Sequence, residues 1–114
     1  MAVALQKGVK YTLQDEATVS GNGNVAVVPD SHEALVIFII GAGTITGGSI
    51  QIEESHDPDY AGDWSLIQSI NATVVNSDAV LAIHASNKYF ALRARIDSDI
   101  TGGGDITVTI FSGD

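Results

Sequence analysis

The chain has 114 residues, with 14 acidic against 5 basic side chains, 12 glycines, 2 prolines and no cysteine. A net charge of −9 repels phosphate backbones and so excludes nucleic acid as a partner, and the missing thiols exclude disulfides, thiolate catalysis and zinc–thiolate sites. A single domain of this mass is expected to expose roughly 5,900 Å² when folded against roughly 17,100 Å² unfolded, which is enough burial for a core without staples.

Hydrophobic residues make up 45% of the chain, which excludes wholesale disorder, and charged residues only 17%, which leaves much uncharged surface to account for. The N-terminal segment lacks the basic, apolar and small-residue succession of a signal peptide. The longest apolar run, Ala34 to Ile40, has seven residues; a membrane helix needs about twenty. A soluble protein with no membrane partner is expected.

Valine, isoleucine and threonine together supply 32 residues, the β-branched stock that favours strands. Apolar residues alternate in short runs, and Gly, Asn, Asp and Ser interrupt them about every ten residues. This pattern predicts an all-β fold: a single antiparallel β-sandwich, jelly-roll-like, of seven or eight strands. Residues 1–24 are either an extended N-terminal arm or the first strands, and residues 25–114 form the sandwich. In chain order, Val9, Tyr11 and Leu13 share one face, and the turn-rich Ser20–Asn24 leads into a strand at Val25–Val28. The run Ala34–Ile40 is apolar on both faces, so its outer face is expected to be covered too, by a neighbouring subunit or a folded-over arm. Gly41, Gly43, Gly47 and Gly48 open a hairpin connection to a strand with Ile50 and Ile52 inside. After a polar loop over residues 55–63, Trp64 and Leu66 share a face, with Trp64 expected to anchor the core. A strand follows at Val80–Ala85. In the next strand, Phe90, Leu92, Ala94 and Ile96 face one way, and Tyr89, Ala91, Arg93 and Arg95 the other. A hairpin through Thr101–Gly104 leads to the last strand, where Ile106, Val108 and Ile110 alternate with Thr107 and Thr109.

No catalytic constellation emerges. His32, His56 and His84 are far apart in sequence with no HxH or HExxH spacing, and no serine occupies a GxSxG elbow. The chain is therefore read as not an enzyme and without a cofactor. Asp57, Asp59 and Asp63 place three carboxylates in one loop, a weak calcium candidate that lacks EF-hand spacing and reads more simply as a solvated turn. The glycine pairs and triplets have no following helix to cradle a phosphate and read as turns. Asn71-Ala72-Thr73 matches a glycosylation sequon by composition alone. Arg93 and Arg95 are the chain's two arginines, aimed at one face beside Tyr89. Together they compose a candidate protein interface, although the fourteen carboxylates of the chain offer internal partners as well.

Two segments resemble a known family: Gly48-Ser49-Ile50-Gln51-Ile52-Glu53-Glu54-Ser55, with the Asp/Gly loop and Trp64 behind it, and Tyr89-Phe90-Ala91-Leu92-Arg93-Ala94-Arg95-Ile96, with Ile100-Thr101-Gly102-Gly103-Gly104 and a terminal strand. The pattern, over residues 25–112, resembles small β-sandwich virion proteins of tailed bacteriophages, in particular capsid decoration or cement proteins. The resemblance implies a homotrimer on the outside of the shell that bridges major capsid proteins, present in the host cytoplasm during assembly and on the virion afterwards. A tail, neck or head-appendage subunit shares the same pattern. A carbohydrate-binding sandwich is a third alternative, disfavoured because only seven residues are aromatic.

Overall fold

The computed structural model describes residues 2–6, 8–28, 35–55, 64–85 and 91–112. Among these, the β-branched runs form nine strands: β1 (Ala2–Ala4), β2 (Lys10–Ala17), β3 (Gly21–Val27), β4 (Leu35–Ala42), β5 (Gly47–Ser55), β6 (Trp64–Asn71), β7 (Val80–Ala85), β8 (Ala91–Thr101) and β9 (Asp105–Ser112). They build a two-layer all-β sandwich. One sheet has five strands in the order β1-β3-β8-β5-β6, the other four in the order β2-β9-β4-β7. The first 24 residues supply an edge strand to each sheet, β1 and β2, and the start of β3. Every described pairing is antiparallel except β1 with β3, which is parallel.

Strand alternation dictates what lies between the layers. Leu35, Ile37 and Ile39 of β4 and Ile106, Val108 and Ile110 of β9 face Ile50 and Ile52 of β5 and Leu92, Ala94 and Ile96 of β8, none more than 1% exposed. Burying each large aliphatic side chain contributes about 1.5–3 kcal/mol, so this double row dominates the stability of the fold. The whole chain exposes 5581 Å², close to the surface expected of a closed single domain of its mass.

The connections depart from the sequence expectation. Only β5 and β6 are consecutive strands that also pair with each other; every other link carries the chain from one sheet to the other. The glycine-rich segments at 43–46 and 102–104 are therefore arches across the sandwich edge, not hairpins. They are hydrogen-bonded to each other, Gly104 N–H donating to Thr44 O at 2.7 Å and Thr46 N–H to Thr101 O at 2.8 Å. Residues after a short 3-10 helix, Ala72–Val75, tie the same edge down: Asn76 Oδ1 accepts from Ile45 N–H at 2.7 Å and Asp78 Oδ1 from Gly43 N–H at 2.8 Å. The 3-10 helix itself is capped by Asn71, whose Oδ1 accepts from the Thr73 amide and hydroxyl at 3.1 and 3.0 Å. The sequon spacing is thus that of a helix cap.

Two further local differences have physical causes. Gly21 to Asn24, read as a turn, belong to β3, because Gly23 lets β3 close on its neighbours: a Cβ there would lie 2.1 Å from Leu13 O and 2.8 Å from Ala94 O. Trp64 does not anchor the core. A bulge breaks the register of β6, so that Gln68 lies opposite Ile52 but Leu66 opposite Glu53. The extra residue sends Trp64 and Leu66 to the outer face.

Candidate protein interface

Each sheet presents one outer face, and the two faces differ in chemistry. On the five-stranded sheet, alternation along β8 turns Arg93 and Arg95 outward. The β5 register sets Glu53 directly opposite Arg93. Arg93 Nε donates to Glu53 Oε1 at 2.8 Å, and Arg95 lies 3.8 Å from Glu53 Oε2 while it donates to Asp97 Oδ1. The Arg93 guanidinium also stacks on Trp64, 4.2 Å from the ring centroid. Glu53 and Arg93 are largely covered, their side chains 9% and 15% exposed, whereas Arg95 at 37% retains contact with water. Leu66, opposite Glu53 on the far side of β5, is 55% exposed.

The two arginines singled out in sequence therefore meet at one carboxylate of their own chain. Arg93 is fixed by an ion pair and a cation–π contact, a pre-ordered arrangement that spends little side-chain entropy on meeting a partner. Arg95 and Leu66 flank it with accessible charge and apolar surface. Tyr89 lies outside the described residues. Sequence reasoning missed Glu53 and Trp64 as members of this group. The signal was present in the alternation of Ile50-Gln51-Ile52-Glu53, which matches that of Leu92-Arg93-Ala94-Arg95 strand against strand.

The outer face of the four-stranded sheet is mostly apolar. Its rows, read across β2, β9, β4 and β7, are Lys10, Phe111, Val36, His84; then Thr12, Thr109, Phe38, Ala82; then Thr107, Ile40, Val80. Val36, Phe38, Ile40 and Phe111 are half-buried by neighbours on the same sheet, and Val80 is 56% exposed. These three rows contain no carboxylate. Acidic groups begin at the next row, with Asp105 opposite Ala42, and at the irregular end of β2 with Asp15 and Glu16, where Glu16 N–H donates to Thr107 Oγ1 at 3.1 Å.

The calcium candidates Asp57, Asp59 and Asp63 lie outside the described residues, as do His32 and His56. His84 stands on the outer face of β7, opposite Val36. Among the described residues, no three His, Asp or Glu side chains gather to hold a metal ion. No helix among them is long and apolar enough to cross a membrane.

No protein-family model matches the chain, and no curated protein matches it in sequence. In three dimensions it is similar to the crystal structure of the SPBc2 prophage-derived protein YomS, with a TM-score of 0.63 and 18% sequence identity over 90% of this chain and 88% of that one. At that identity the likeness is one of fold.

Proposed function

We propose that this protein is a structural component of a tailed-bacteriophage particle that attaches to the outside of the capsid and bridges neighbouring major capsid proteins. The observation that carries the reading is the outer face of the five-stranded sheet, where Trp64, Arg93 and Glu53 form a pre-ordered group flanked by exposed Leu66 and Arg95. Tryptophan and arginine are the residues that concentrate binding energy at protein interfaces, and they do so best when held in place before the partner arrives. The fold shared with a prophage-derived protein supports the phage setting. Repetition over an icosahedral lattice turns a modest individual contact into strong retention, so a small interface is sufficient for the task.

Electron microscopy of the parent particle with and without this protein is the direct test. Density on the outer shell that disappears in its absence is the expected result; density on the tail or neck would refute the capsid assignment. The interface is tested by Leu66→Asp and Arg95→Ala, both at accessible positions: each should lower occupancy of the shell and leave the circular dichroism spectrum unchanged. Full occupancy by both variants would remove the face from consideration.

A further inference from the structure

We infer that the outer face of the four-stranded sheet is a self-association surface, packed against the same face of a second copy related by a two-fold axis. The first argument is the distribution of charge. On a chain of net charge −9, the middle of this face carries Phe38, Val36, Ile40, Phe111, Ala82 and Val80 and no carboxylate. Among the described residues its two ends carry opposite charges: Lys10 at one end of β2, and Asp15 and Glu16 at the other, next to Asp105 of β9. A two-fold axis lying in the interface and running across the strands reverses the rows and keeps the strand order. It places β2 over β2 in opposite directions, so that Lys10 of each copy meets Asp15 and Glu16 of the other. The face is therefore complementary to itself, the requirement of an isologous contact.

The second argument is area. Four strands about 4.8 Å apart and about 3.4 Å per residue along the strand give a face of about 19 by 25 Å. Two such faces hide about 1,000 Å² between them, near the lower bound for a specific interface. Two sheets laid face to face with strands within about 30° of each other form a standard packing. An interface of this size gives a reversible dimer that dissociates on dilution.

The inference is independent of what the particle-binding face does, because its test uses the purified full-length chain alone. Sedimentation equilibrium over a concentration series should show monomer and dimer in exchange. Phe38→Lys, in the middle row, should leave only monomer, with the native circular dichroism spectrum confirming that the fold survives. Lys10→Glu should weaken the dimer at least tenfold, and adding Asp15→Lys and Glu16→Lys to it should restore the association, a rescue that damage to the fold cannot imitate. A native chain that stays monomeric at every concentration, a trimer, or a dimer indifferent to both Phe38→Lys and Lys10→Glu would each overturn the inference.

Discussion

Replacing Glu53 by glutamine tests whether the charge cluster on the five-stranded sheet is a structural element as well as a surface one. The substitution preserves volume and a carbonyl acceptor, so it removes charge and little else. Arg93 then loses its charge-assisted bond at 2.8 Å while it remains only 15% exposed, and Arg95 loses the longer contact at 3.8 Å but keeps Asp97. Breaking a fully buried ion pair by removing one partner costs about 3–5 kcal/mol. Two features reduce that figure here: the stack on Trp64 still holds the Arg93 guanidinium, and glutamine still accepts a hydrogen bond. A loss of about 2 kcal/mol is the expected outcome, in the range of one hydrogen bond to a charged group. Guanidinium titration monitored by circular dichroism measures it, and the melting temperature should fall by about 8 °C. Arg93→Met and the double variant complete a cycle whose coupling term should exceed about 1 kcal/mol for groups in direct contact. A loss below about 0.5 kcal/mol for Glu53→Gln, the size of an exposed surface pair, would refute the reasoning.

Gly41→Ala should cost about 3 kcal/mol, at the upper end of core overpacking, because a Cβ there would stand 2.0 Å from Val75 O and the 3-10 helix would have to move away; a denaturant midpoint within error of the native one would contradict this. Thr109→Val should stabilise by about 1 kcal/mol, since the Thr109 hydroxyl is buried with no hydrogen-bond partner among the described residues, and chemical denaturation reads the gain. Burial pushes the Tyr11 phenol above the ordinary tyrosine value, so the native state keeps a proton that the unfolded chain releases. That contribution to stability is complete below about pH 10 and is lost as pH rises through the folded value; Tyr11→Phe should flatten this part of the alkaline stability profile.

The periodicity of the chain disclosed the layers of the fold but not their wiring. Alternation assigned Ile50 and Ile52 to the interior and grouped Leu92 with Ala94 and Ile96, and Ile106 with Val108 and Ile110, each set on one face of its strand; all eight lie in the interior. It assigned Arg93 and Arg95 to the opposite face of the same strand, which is where they meet Glu53. It could not tell a hairpin from an arch, because both need glycine and the difference lies in which sheet receives the next strand. At Gly102 and Gly104 the glycines serve close approach, with Cβ positions that would fall 2.8 and 2.7 Å from Thr44 O, and no local pattern encodes that neighbour. Trp64 was misplaced for a related reason. A single bulge residue inverts every assignment before it, and the bulge in β6 shows only in its pairing with β5.

The two outer faces together explain how a chain with so few charges is arranged. On the five-stranded sheet, both arginines lie against carboxylates of the same chain, so that face carries little net charge and offers Trp64, Leu66 and the accessible part of Arg95. On the four-stranded sheet, among the described residues, the apolar rows separate Lys10 from Asp15, Glu16 and Asp105. Pairing two copies through the second face leaves the first face of each copy outward, on opposite sides of a four-layer particle. The two Trp64 faces of such a dimer point in opposite directions, so a single shell meets only one of them at a time. Pairing then adds no avidity on the shell, and Phe38→Lys should abolish the dimer while attachment of the protein to particles stays at full strength, because the bound copy keeps its own Trp64 face. Loss of the Phe38→Lys variant from particles would refute this and show that the four-stranded face itself takes part in attachment.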